Sequence, residues 1–349
     1  MLNSLLLFSL TVMFKEWSML FRSHTASLTT TVVLIGFILG GGKLFSLFGL
    51  VLIVFSLFLH YFTFGNNSLM HACIVPRVGE LPYDAQDKMK KHHPLITEKI
   101  KLSTAHKVIY TGIFLISIAA IIISFYGSGN TSLSLAFFLI FGVTGFAYNC
   151  GLSKVTIWKF LPISTCFAAL SAYAFFLMSD RINDLFIMVL IYIFLAEVFQ
   201  TAVLSDQKDI ETNFEINLLK YLGTKVSNNK IYMSFSSKVV SWFIKLLNLA
   251  VGLYIFISIE INIAILFFFI LFMFITIYFT FKIIHDTEWG RYKKIRYYSF
   301  EEISTIILFL IILIPYMGLL EVLIIALFLP SYFVIFNKIN WGTFFTIKT

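Results

Sequence analysis

Between Lys107 and Lys154 the chain carries no charged side chain at all. This run of 46 residues, Val108 to Ser153, is interrupted only by the turn-forming stretch Gly127-Ser128-Gly129-Asn130. A helix crosses a bilayer with about 20 mostly apolar residues, so the run holds two spans and the turn between them. Charge is almost absent again between Glu260 and Lys282. The whole chain follows the same pattern, with 59% hydrophobic and 13% charged residues. Soluble domains have about 45–50% apolar and about 25% charged residues. A larger buried core cannot absorb that excess, and an apolar solvent can.

Apolar windows place spans at 25–41, 45–65, 105–126, 132–150, 155–178, 184–204, 238–257, 261–283, 302–317 and 319–336. The last two also read as one helix bent at Pro315 and Gly318, so the expectation is an all-α, polytopic transmembrane bundle of nine or ten helices. No hydrophilic block is longer than the segment 66–104, so residues 1–349 read as a single transmembrane domain. Cys73, Cys150 and Cys166 are too few and too scattered for a disulfide or zinc framework. The opening MLNSLLLFSLTVMF lacks a basic start and a small-residue cleavage site, and reads as a lipid-facing lead-in.

Basic residues then orient the spans. Lys15 and Arg22 precede the first span. Arg77, Lys88, Lys90, Lys91, Lys99 and Lys101 lie in loop 66–104, and Lys154 follows the fourth span. Lys208, Lys220, Lys225 and Lys230 lie in loop 205–237, and Arg291, Lys293, Lys294 and Arg296 in loop 284–301. An alternating topology puts all of these on one side and leaves only Lys43 and Arg181 on the other. That asymmetry marks the first side as cytoplasmic. It also accounts for the net charge of +8 without a nucleic-acid partner.

The two long loops on that side, 66–104 and 205–237, follow the second and sixth spans, and each carries carboxylates at helical spacing. In PYDAQDKMKKHHPL, Asp84 and Asp87 are three apart and share a helical face. In SDQKDIETN, Asp206, Asp209 and Asn213 share another, with Glu197 and Gln200 approaching from the sixth span. An acidic run in a loop is commonly a solvated face, but two in equivalent loops call for a common cause. Grouped carboxylates repel unless a cation lies between them. Oxygen ligands suit Mg²⁺, which is commonly completed by substrate phosphates, and neighbouring lysines neutralise phosphate oxygens. Two such clusters above an apolar bundle suit a substrate with a diphosphate head and a hydrocarbon tail. His92 and His93 read as loop surface residues more than as ligands, and His60 and His71 as lining a polar cavity or sitting at the interface.

With these motifs the chain resembles the UbiA superfamily of intramembrane prenyltransferases, from FKEWSMLFRSHTASLTTTVVLIGFILGG onward. Asn67 resembles the asparagine of the first family motif, Asp84 and Asp87 its aspartates, and His93-Pro94-Leu95 the tripeptide that follows. Asp206 and Asp209 match the second motif, with Asn213 where a third aspartate is usual. Tyr148, Asn149 and Lys154 resemble a tyrosine and a lysine carried after the fourth helix. There are departures: residues 71–83 are inserted, the Asp84–Asp87 spacing is one short, and His93 replaces an arginine.

The resemblance implies Mg²⁺-dependent ionisation of an allylic isoprenoid diphosphate, followed by prenyl transfer to an aromatic or alcohol acceptor in the membrane. Asp84 and Asp87 would hold one Mg²⁺, and Asp206, Asp209 and Asn213 the other. Asn67, Lys88, Lys91, Lys99, Lys154 and Lys208 would bind the diphosphate end, and Tyr148 would face the allylic cation, an attraction worth about 0.5–2 kcal/mol. A terpene cyclase of the same superfamily stays open, since an alkene of the same tail could attack the cation. A degenerate scaffold also stays open. A transporter fits less well, because the clustered carboxylates lie in loops and the spans are nearly free of charge.

Overall fold

The structure, a computed structural model, describes residues 13–74, 93–152, 156–208, 210, 216–227, 230–258, 263–287 and 291–342; side chains at 151, 152, 208 and 291–295 are left aside. Asp84, Asp87, Lys88, Lys91, Lys154, Asp209 and Asn213 therefore lie outside the described residues.

Ten apolar helices form the bundle among those residues. They are α1 (Ala26–Leu39), α2 (Leu47–Cys73), α3 (Leu102–Tyr126), α4 (Thr131–Ala147), α5 (Phe160–Phe176), α6 (Asp184–Phe199), α7 (Phe235–Ile257), α8 (Ile263–His285), α9 (Arg291–Met317) and α10 (Leu319–Trp341). Eight are long and apolar enough to cross a bilayer; α5, and α1 with the turn before it, are shorter apolar helices. The ten expected spans correspond to these ten helices. The final pair is divided at Gly318, whose φ of 88° and ψ of 148° are open essentially to glycine alone. Pro315 lies inside α9 and does not end it.

Side-chain caps start several helices: Ser46, Asn130, Asn183 and Ser234 each accept a hydrogen bond from a backbone N–H three residues on. A short antiparallel hairpin, β1 (Lys225–Ser227) with β2 (Lys230–Tyr232), pairs Val226 with Ile231 just before α7.

Successive helices pack side by side from α1 to α7. α7 meets α8 and α9, and α10 returns to α1 and closes the ring. α5 packs on α1 as well as on α4 and α6. Glycine makes the α1–α5 approach possible. A Cβ on Gly36 would stand 2.1 Å from the Ser171 carbonyl oxygen, and one on Gly40 2.4 Å from that of Phe175. Lipid tails are as apolar as leucine, so membrane helices gain by such close backbone packing rather than by hiding from water. Stacked rings join other neighbours: Phe175 on Phe186 at 3.7 Å, Phe256 on Phe269 at 4.0 Å and Tyr192 on Phe309 at 4.1 Å. Much of the aromatic content is thus helix-to-helix packing.

Candidate functional site

A cavity of about 460 Å³ opens inside the bundle, within the range of about 300–1,000 Å³ typical of small-molecule sites. Its walls are divided by chemistry. Ile113 and Ile116 of α3, Phe138 and Phe141 of α4, and Phe167 and Leu170 of α5 make an apolar lining. The ends of several helices supply a polar collar: Arg22 and His24 before α1, Asn66 and Asn67 near the end of α2, Tyr148 and Asn149 after α4, Glu197, Gln200 and Thr201 at the end of α6, and Glu302 from α9.

Two of these ends depart from α-helix. α4 runs on into a π-helical turn at Tyr148–Leu152, and α6 into another at Gln200–Ser205. Such wide turns are rare and recur at functional sites. Here both carry cavity residues.

Asn66 and Asn67 are helical. The sequence reading placed them at the start of a loop, but α2 continues to Cys73. Polar residues do not end the helix, because their side chains turn inward to other polar groups. Asn67 Nδ2 donates to Asn149 Oδ1 at 2.8 Å, tying α2 to the π turn that carries Tyr148. Asn66 is 5% exposed, and its side-chain oxygen has no hydrogen-bond partner. One turn beyond Asn67 the helix presents His71, not a carboxylate.

His60 is fully buried on α2 and organises the start of α1. Its Nε2 lies 3.3 Å from the Arg22 carbonyl oxygen and its Nδ1 2.7 Å from Thr29 Oγ1. The carbonyl only accepts, so Nε2 carries the proton and Nδ1 accepts from Thr29. Thr25 Oγ1 donates to the same carbonyl at 2.9 Å. Together these bonds hold Arg22 at a φ of 49°, the left-handed region that costs an ordinary residue roughly 1–2 kcal/mol. Lys99, expected near the diphosphate, is half exposed and paired with Glu16 at 2.8 Å.

Asp206 is buried completely. Lys159 Nζ, also buried, lies 2.7 Å from its Oδ1. The Leu218 N–H donates to Oδ2 at 2.5 Å, and Asn217 Nδ2 to the Asp206 backbone carbonyl at 2.5 Å. The next residue, Gln207, is fixed by donating to the Ile283 carbonyl at 2.9 Å and accepting from Tyr298 at 2.8 Å. Lys208 ends the short helical stretch Asp206–Lys208, and Ile210 lies in a turn. Of the five residues expected to hold Mg²⁺, Asp206 alone is among those described, and both of its oxygens are engaged. Among the described residues no group of three His, Cys, Asp or Glu side chains is arranged for a metal ion. Asp206 with Lys159 is a compensated ion pair and does not by itself fit a metal site.

The structure thus joins Asn67 and Tyr148 around one cavity, leaves Lys99 on Glu16, and places Asp206 on Lys159. Sequence reasoning passed over Lys159, Asn66, Thr201 and Glu302, and read Arg22 only as a topological marker. Glu302 carried a usable signal: an ionisable residue at the edge of an apolar span is unusual enough to mark a site. Lys159 carried none, since only its packing against Asp206 sets it apart from other interfacial lysines. A second buried pair, Lys245 of α7 with Glu301 of α9, is completed by Thr305, which accepts from Lys245 at 2.8 Å.

No family model and no curated protein matches the sequence significantly. A solved structure does match the three-dimensional arrangement: digeranylgeranylglyceryl phosphate synthase, described in membranes, with a TM-score of 0.59 and 15% identity, over 88% of this chain and 99% of that one. The chain has the UbiA-type fold. Near-complete coverage of the neighbour means that the UbiA-type bundle accounts for most of this chain.

Proposed function

We propose that this chain is an integral membrane prenyltransferase, which ionises an allylic isoprenoid diphosphate and transfers the prenyl group to a lipophilic acceptor. The observation that carries this reading is the division of the cavity within a UbiA-type bundle: apolar helix faces on one side and a polar collar on the other. The hydrocarbon tail fits the apolar part, and the collar faces the reacting end. The neighbouring fold, named for the synthesis of a prenylated glyceryl phosphate, supports the same class of chemistry.

In this proposal the aspartate-bearing loops 66–104 and 205–237 belong to the cytoplasmic side and supply the groups that bind the diphosphate. Asp84, Asp87, Asp206, Asp209 and Asn213 are its candidate Mg²⁺ ligands, with Asp206 exchanging its contact with Lys159. Mg²⁺ supplies charge neutralisation of the departing diphosphate. Lys88, Lys91, Lys99, Lys154 and Lys208 are the candidate diphosphate-binding lysines. Tyr148, on the π turn fixed through the Asn67–Asn149 bond, offers a ring face to the allylic cation. The apolar wall keeps out the water that would quench that cation.

The test is incubation of the purified full chain with Mg²⁺ and farnesyl or geranylgeranyl diphosphate, with and without aromatic or alcohol acceptors, followed by mass spectrometry. Diphosphate release with a prenylated acceptor is the expected result. Release with a cyclic hydrocarbon and no acceptor would make the chain a terpene cyclase instead. Absence of release under every condition would overturn both enzyme readings.

A further inference from the structure

The segment 216–238 carries four lysines, Lys220, Lys225, Lys230 and Lys238, and no carboxylate. It contains a short helical turn, Leu218–Tyr221, and the β1–β2 hairpin. Side chains alternate across a strand, so Val226 and Ile231 turn inward and pack with Ile210 and Leu219. Lys225 lies opposite Tyr232, and Ser227 opposite Lys230, on an exposed outer face. Tyr221 before the hairpin and Phe235 after it are 74% and 82% exposed. Lys220, Lys225 and Lys230 have no ion pair among the described residues. Three helix ends set the level of this face against the bilayer. Phe235 begins α7. The Ile231 N–H donates at 3.0 Å to the carbonyl of Thr287, just past the end of α8. The Leu218 N–H donates at 2.5 Å to Asp206 Oδ2, just past the apolar segment Asp184–Ser205. All three helical segments are long and apolar enough to cross a bilayer, so the hairpin lies where they leave the apolar layer.

We propose that this outer face docks on the headgroups of an anionic leaflet, and that docking steadies the turn that holds Asp206. Lysines next to a membrane-crossing helix are drawn to anionic lipid, and tyrosine rings settle at the same headgroup depth. A face built for bulk water mixes both signs of charge and shows few bare aromatic rings; this one has a single sign of charge and three exposed rings. The link to Asp206 is short. The Leu218 N–H and Asn217 Nδ2 hold its carboxylate and its backbone carbonyl, both at 2.5 Å. Lys220 and Tyr221, in the same turn, are exposed. Ser234 Oγ donates to the Leu222 carbonyl at 2.5 Å and Thr224 Oγ1 to Ser237 Oγ at 2.7 Å. Turn, hairpin and the start of α7 are thereby bonded into one unit. The inference stands apart from the prenyl-transfer reading, because it concerns lipid binding and not turnover.

Hydrogen exchange of the full chain, resolved to single amides by mass spectrometry, tests this in nanodiscs of phosphatidylcholine alone and of phosphatidylcholine with phosphatidylglycerol. One lysine near an anionic leaflet is worth about fivefold in binding. The hairpin amides and the Leu218 amide should therefore exchange at least about fivefold more slowly when phosphatidylglycerol is present. Lys225→Gln with Lys230→Gln changes two exposed side chains and should remove most of that slowing, as should added salt. The turn at 127–130, between α3 and α4, is the internal reference. Equal exchange in the two discs, slowing as large at 127–130, or slowing that the double variant retains would each overturn the docking. Slowing of the hairpin with the Leu218 amide unchanged would overturn the link to Asp206. The same slowing by soluble glycerol phosphate in discs of phosphatidylcholine alone would assign the face to a free phosphate and overturn the leaflet as its partner.

Discussion

Asp206 and Lys159 show how a single side chain can answer to folding and chemistry together. Each is almost wholly buried and each neutralises the other at 2.7 Å. Removing one partner strands a charge away from water, which costs about 3–5 kcal/mol, whereas replacing both with apolar groups is often neutral. Lys159→Met alone should therefore lower the thermal unfolding midpoint in detergent sharply. Adding Asp206→Leu should restore much of it. Turnover separates the two roles: the double variant should be stable but inactive in diphosphate release, and retained turnover would remove Asp206 from the site. Arg22 makes a related point. Its left-handed backbone persists because His60 and Thr25 hold its carbonyl, and this buried network places the residue at the rim of the cavity.

At the scale of elements, the bundle depends on where helices touch and where they are left apart. Gly36 and Gly40 bring α1 against the backbone of α5. Gly36→Ala would drive a methyl group to within 2.1 Å of the Ser171 carbonyl oxygen, and backbone cannot give way as a flexible side chain can. Overpacking of this kind costs about 1–3 kcal/mol. A lowered unfolding midpoint is expected, with the longer residues valine and leucine worse still; unchanged midpoints across that series would show that α1 and α5 are free to separate. The π turns act in the opposite sense. By widening α4 and α6 near their ends they release the regular helical register where Tyr148, Asn149, Gln200 and Thr201 meet the cavity.

For the whole molecule, the ring of helices matters because it encloses an apolar space with a polar collar. Gly142 of α4 lines that space, and a Cβ placed on it would meet nothing within 4 Å. Gly142→Phe therefore places its first carbon without a clash and adds bulk at the cavity wall. If the tail occupies the apolar part, this variant should lose turnover with geranylgeranyl diphosphate by about tenfold or more, a difference of about 1.4 kcal/mol, while a shorter allylic diphosphate is far less affected. Equal effects on long and short substrates would place the tail elsewhere.

Much of the architecture was legible in the sequence because a bilayer allows so few alternatives. An unbroken apolar run must become a helix that satisfies its own backbone, so the apolar helices were readable from composition, and their ends only approximately. Division of the last pair at Gly318 depended on one backbone angle, and the extension of α2 through Asn66 and Asn67 depended on partners supplied by distant helices. The polar residues that share the cavity were the hardest to foresee. Asn67 and Tyr148 were readable through motif resemblance, but Glu197 and Glu302 are 105 positions apart, and nothing local in the chain says that their carboxyl groups face one space. Pairing of Asp206 with Lys159 is equally non-local. Hydrophobicity acts on each segment separately and determined that this chain spans a membrane. Which charges are compensated and which are left facing the cavity was decided only when helices remote in sequence packed together.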